Sequence, residues 1–179
     1  AAGLGTAAKH FPGLGRVRAN TDYSASAVDP VTTASDPNLA PFAAAVAAGT
    51  PMVMISSARY PKLDAQRIAA FSPAIATTLL RDRLHFTGVA ISDDLGAAKA
   101  LAAVPVGTRA AAFIGAGGDL VLTVRADQAP AMRKALLAQA ARSPSFARRL
   151  DQAAGRVIAS KIAAGLVSCT PAQLAGATP

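Results

Sequence analysis

Four short apolar runs punctuate the chain, and polar residues follow them closely. The clearest is Val89-Ala90-Ile91, which passes through Ser92 straight into Asp93-Asp94. Met52-Val53-Met54-Ile55 runs into Ser56-Ser57, and residues 6–11 carry Lys9-His10 near their end. Asp119-Leu120-Val121-Leu122-Thr123-Val124 is the fourth run. Continuous apolar runs of this length, rich in β-branched residues, read as strands buried on both faces.

Between the runs the period changes to that of helices. Leu39, Phe42 and Val46 share one face of a helix over residues 38–48, which Gly49 ends. Ser72-Pro73 is a cap residue followed by proline at the first helical position, and Ile75, Leu79, Leu80 and Leu84 supply that helix's apolar face. Further helices are expected over 108–116 and 128–142, and from Ser143-Pro144 to about residue 164, ended by Gly165. Residues 16–37 are polar and rich in turn formers, and long loops in compact domains are commonly functional. Strands alternating with helices imply an α/β fold with a parallel sheet and right-handed crossovers. Four such units fit the second half of a TIM (β/α)8 barrel, whose functional loops follow the strands. A smaller open sheet has the same periodicity.

Composition narrows the function. The chain has 179 residues, 52% hydrophobic, with no tryptophan and few aromatic residues. That argues against binding modules built on stacked rings. The formal net charge is +8, yet the arginines and lysines (Arg81, Arg83, Arg133, Lys134, Arg142, Arg148, Arg149, Arg156, Lys161) are dispersed along helical segments. They read as solvated helix faces, and no nucleic acid is expected as a partner. A single cysteine, Cys169, permits no internal disulfide and reads as inert. No apolar run is long enough for a membrane span. No metal or other cofactor is expected, because only His10 and His85 are available and no further carboxylate stands at ligand spacing. His85 falls at the end of a helix, away from the strand ends, and reads as a surface group.

The candidate chemistry lies after the strands. A carboxylate at the end of a buried strand, such as Asp93, can serve as nucleophile, metal ligand or general base. It can equally cap the following helix, as can Asp94. Lys9 and His10 suit sugar hydroxyls as donors, but alternation along a regular strand sends neighbours to opposite faces. Asp22, in a Ser/Thr-rich loop, is ordinarily a turn residue. Its company with the other groups makes it a candidate.

Taken together, Lys9-His10-Phe11-Pro12-Gly13-Leu14-Gly15, Asp36-Pro37-Asn38-Leu39-Ala40-Pro41-Phe42, Tyr60-Pro61-Lys62-Leu63-Asp64, Ser92-Asp93-Asp94-Leu95 and Ala116-Gly117-Gly118-Asp119-Leu120-Val121-Leu122 resemble glycoside hydrolase family 3. The pattern is most similar to the family's bacterial β-N-acetylhexosaminidases, over residues 3–166. The resemblance implies a retaining glycosidase of β-linked N-acetylglucosamine or related β-glycosides, in the cell wall or in oligosaccharides. It implies Asp93 as nucleophile, with Lys9 and His10 on substrate hydroxyls. In this branch a loop Asp-Ser-His triplet bears the acid/base histidine. Here that triplet falls on Asn20-Thr21-Asp22, which makes Asp22 the candidate acid/base, with Asn20 and Asp94 as supporting residues. Ala97 stands where the family has Met, which is expected to widen the sugar pocket. The resemblance further implies that residues 1–168 are a partial barrel, about strands 5–8 plus C-terminal helices, followed by a tail at 169–179. The family's first half, with its own substrate-binding groups, is expected to be missing, so that the chain alone should be poorly stable or self-associate. A secreted or cell-surface place in bacteria is implied by wall-directed relatives. The alternative is a catalytically impaired sugar-binding or structural relative.

Overall fold

In the computed structural model, which describes residues 5–168, four strands form one parallel sheet in the order β1-β2-β3-β4. They are β1 (Ala7–Phe11), β2 (Met52–Ile55), β3 (Val89–Asp94) and β4 (Leu120–Leu122). The register aligns Ala7 with Met52 and Met52 with Val89; further along, Met54 faces Ile91 and Ile91 faces Leu120. Helices connect the strands: α1 (Ala40–Ala47), a π-type helix (Ala74–Arg83) and α2 (Val106–Ala116). After β4 come α3 (Ala129–Arg142) and α4 (Pro144–Ala163).

The core lies between the sheet and these helices. Val53, Ile55, Ala90 and Ser92 are fully buried beneath Ile75, Leu80 and Phe113 from the connecting helices. Phe11 meets Phe42 edge to face, 5.1 Å between centroids, which seats α1 against β1. The opposite sheet face is more open: Ala7 and Lys9 are exposed, and Met52, Met54 and Leu120 are half-buried. β1 and β4 are the outer strands of the described sheet.

Local signals in the sequence explain the element ends. The Ser143 hydroxyl accepts from the Phe146 N–H, with Pro144 in the first turn of α4. The Ser72 hydroxyl accepts from the Ile75 N–H and donates to Asp64 at 2.7 Å, so the cap also fastens the preceding loop. The helix it opens is wider than expected: its bonds reach five residues back, as from the Leu84 N–H to the Leu79 carbonyl. Gly117 ends α2 with φ 117°, a left-handed cap where a Cβ would also strike Thr77. The fourth strand is half the expected length, because the Thr123 hydroxyl donates to the Arg125 carbonyl and the Val124 N–H turns to the Asp94 carboxylate at the end of β3.

One sequence expectation is corrected. Arg81, Arg149 and Arg156 are not simply solvated helix residues. All three converge on the buried carboxylate of Asp119, with Arg149 at 2.7 Å and Arg156 at 3.2 Å. Asp119 also accepts from the Ala90 N–H at 2.9 Å. A buried carboxylate demands such partners, and it draws them from the π-type helix and α4. His85 is exposed with φ 56°. Cys169 and the tail at 169–179 lie outside the described residues. No described helix is long and apolar enough to cross a membrane.

Candidate active site

Asp93 lies at the carboxyl end of β3, between buried Ser92 and buried Asp94. The two carboxylates part there. Asp94 accepts from the Gly96 N–H (2.8 Å) and the Val124 N–H (3.0 Å) on one oxygen, and from the Ala97 N–H (2.9 Å) on the other. It closes the turn after β3 and ties it to the end of β4. Among the described residues Asp93 accepts only the Asp94 N–H, at 2.9 Å, and its side chain is half-buried toward open space.

His10 reaches the same space from β1. Its Nε2 lies 4.0 Å from Asp93 Oδ2, beyond a direct hydrogen bond. The β1–β2 register explains its aim: Ala8 faces Val53 and Phe11 faces Ile55, so β1 carries one extra residue between them. An extra residue of this kind breaks strict alternation and re-aims side chains. The Lys9–His10 peptide bond is cis. Burial pushes the His10 imidazole below its ordinary value; Asp93 opposes this, Lys9 adds to it and Asp22 opposes it. His10 is therefore neutral at physiological pH, with one ring nitrogen to donate and one to accept. Lys9 itself is exposed beside it.

The third wall is the loop after β1. A cleft of about 380 Å³ is lined by Asp93, His10 and this loop, including Leu14, Arg18, Asn20 and Asp22. Asn20 Oδ1 accepts from the Asp22 N–H at 2.8 Å, a local turn that leaves the Asp22 carboxylate exposed. The loop is anchored at both ends. The Thr21 and Asp22 carbonyls accept from the Ala100 and Lys99 N–H groups at 3.1 Å, which docks the triplet on the segment after β3. Arg16 binds Asp36 at 2.5 Å and Thr32 at 3.2 Å, and Tyr60 donates to the Gly13 carbonyl at 2.9 Å. Burial raises the Tyr60 phenol above its ordinary value, so it stays a donor.

The structure thus brings together Asp93, His10, Asp22 and Asn20 around one cleft, whereas Lys9 and Asp94 are not among the residues that line it. Ala97 is exposed, held by its N–H on Asp94. Sequence reasoning missed Arg18, whose only signal was its position in the loop between Lys9 and Asp22. Among the described residues, no group of three or more His, Cys, Asp or Glu side chains could hold a metal ion.

Parallel β/α units whose charged groups gather at the carboxyl ends of the strands define a domain of the TIM-barrel class. The family described as "Glycosyl hydrolase family 3 N terminal domain" matches residues 1–160, and the chain belongs to that family. It is 41% identical over 130 residues to a beta-hexosaminidase of Bordetella pertussis, covering 72% of this chain and 36% of that protein. A beta-hexosaminidase of Stenotrophomonas maltophilia is 39% identical over 124 residues, again covering 36% of that protein. Among solved structures, a beta-N-acetylhexosaminidase from Beutenbergia cavernae superposes with a TM-score of 0.82 at 46% identity, over 87% of this chain and 46% of that one. A family 3 beta-N-acetylglucosaminidase from a Paenibacillus species superposes with a TM-score of 0.84 at 29% identity, over 95% of this chain and 34% of that one. The chain therefore spans about a third of the length of the curated relatives it matches, and its four-stranded sheet is an arc of the barrel.

Proposed function

We propose that this arc carries the nucleophile and acid/base side of a retaining β-N-acetylhexosaminidase site. The observation that carries the reading is the cleft in which the uncommitted Asp93 carboxylate shares walls with His10 and Asp22. The names of the relatives support the amino-sugar substrate. Their greater length, together with the two outer strands of the sheet, supports completion of the site by further β/α units. The domain assignment, residues 1–168 as barrel arc and 169–179 as tail, belongs to the same proposal, as does a cell-wall or oligosaccharide substrate.

In the first step an Asp93 oxygen attacks the anomeric carbon as the bond to the leaving oxygen breaks. The Asp22 carboxylic acid gives its proton to that oxygen, which leaves as an alcohol. In the second step Asp22, now a carboxylate, takes a proton from water. The water oxygen bonds to the anomeric carbon and Asp93 departs. A retaining pair stands roughly 5–5.5 Å apart, and Asp22 and Asp93 line the same cleft. Lys9 and neutral His10 donate to substrate hydroxyls.

Asp93→Asn in the intact protein should abolish turnover of an aryl β-N-acetylglucosaminide while leaving the thermal midpoint close to that of the parent. Undiminished turnover would remove Asp93 from the role. A second reading, a sugar-binding relative without catalysis, is favoured by one observation: an exposed aspartate, Asp22, stands where the branch has its histidine. Saturable sugar binding by a protein that shows no turnover would select it.

A further inference from the structure

Two arginines flank the start of the cleft loop, and they are used differently. Arg16 turns away from the cleft to Asp36 and Thr32, where it holds the loop's shape. Arg18 lines the cleft with Asp22 and Asp93, yet pairs with neither and with no other acid among the described residues. His10 is neutral there, so Arg18 is the one full positive charge on the described walls. Among the described residues, none that lines this cleft is aromatic, so these walls offer no ring on which a second sugar could stack.

The position of Arg18 follows from the chemistry assigned to its loop. An acid/base group must reach the oxygen that joins sugar to leaving group. The loop that carries it therefore runs alongside the leaving group. Arg18 precedes Asp22 by four residues on that loop, and both face one cleft. A guanidinium is a planar fork of donors that fits a carboxylate with two parallel bonds. We infer that Arg18 is a specificity residue that binds a carboxylate on the leaving group, so that the preferred substrates are β-glycosides whose leaving-group side is acidic. This rests on the glycosidase reading above.

The test compares two aryl β-N-acetylglucosaminides matched except for a ring carboxylate, in the intact protein and in Arg18→Ala, Arg18→Lys and Arg18→Glu. The readout is the ratio of kcat/KM for the acidic over the neutral substrate within each variant, so that general losses in activity or folding cancel. The parent ratio should exceed one by roughly three- to fivefold, the size of an exposed ion pair. It should shrink with added salt, be largely kept by lysine, fall to about one in alanine and invert in glutamate. Equal ratios in parent and Arg18→Glu would overturn the inference while leaving the hydrolase reading standing. If turnover is absent altogether, calorimetric binding of the sulfur-linked pair gives the same ratio. Preference for the acidic analogue that is lost in Arg18→Glu supports the role of Arg18, and indifference to the carboxylate, or no binding of either analogue, overturns it. Binding of neither, with no turnover, removes the glycosidase reading as well.

Discussion

Asp94 gives both carboxylate oxygens to backbone amides of the β3 and β4 ends, whereas Asp93 accepts a single N–H among the described residues and faces the cleft. Adjacent residues of one type therefore separate into a structural and a chemical role by environment alone. Asp94→Ala would leave three N–H groups without their acceptor, that of Gly96 buried and those of Ala97 and Val124 partly so, and an unsatisfied buried donor costs about 1–3 kcal/mol. The expected outcome is a stability loss of about 3 kcal/mol, read from denaturant unfolding with an unchanged m-value. A loss under about 0.5 kcal/mol would mean that water replaces the carboxylate freely. The sequence made this pair legible because two acids at the end of an apolar strand have few structural uses. Periodicity gave no means of saying which acid the backbone would claim; only the family resemblance separated them, with Asp94 as the supporting residue. The backbone's choice depends on Val124, thirty residues downstream, folding back onto Asp94.

At the scale of elements, the family motifs turn out to be joints between secondary structures. Asp36 caps the short turn before α1 and pairs with Arg16. Tyr60 ties the segment after β2 to the Gly13 turn after β1. Asp119, at the start of β4, is gripped by Arg81 from the π-type helix and by Arg149 and Arg156 from α4. Strand positions and most helix starts were legible, because apolar runs and Ser-Pro pairs act within a few residues. The arginine cluster was not, because its members lie far apart in sequence and each alone looks like a solvated helix charge. The extra residue in β1 was also invisible, since it exists only relative to β2. Asp119→Asn leaves three guanidiniums facing a neutral amide. Breaking a buried ion pair from one side costs about 3–5 kcal/mol, and such a loss is expected in chemical denaturation. The site chemistry, at the other ends of the strands, should be affected only through stability. A variant as stable as the parent would show that the cluster is not a structural tie.

At the scale of the molecule, the pH profile of stability joins site and scaffold. Folded His10 holds its proton less tightly than the unfolded chain does, because burial disfavours its charged form. Unfolding therefore takes up a proton, and stability rises with pH. This contribution is fully present above about pH 6.5 and is lost as the pH falls toward the lower folded value. Asp36 is also held below its ordinary value, chiefly by the Arg16 hydrogen bond; so is Asp29, where burial pushes upward but hydrogen bonds from Thr32 and Val31, with the nearby Arg16 charge, together outweigh it. Their contributions are present above about pH 3.9 and are lost below it. Thermal midpoints should thus decline in two stages on acidification, and His10→Gln should remove the upper stage alone. A His10→Gln profile that superposes on the parent's would contradict the assignment.

The parallel sheet presents Asp93 at the carboxyl end of β3, and the central claim is that this residue bonds to the sugar. The most direct measurement is peptide mass spectrometry of the intact protein after brief reaction with a fluorinated N-acetylglucosaminide that slows release of the covalent intermediate. The account predicts one added glycosyl mass, located on Asp93 and absent from Asp93→Asn. A glycosyl label on any other residue, or turnover of the unfluorinated substrate with no label at Asp93, would contradict it.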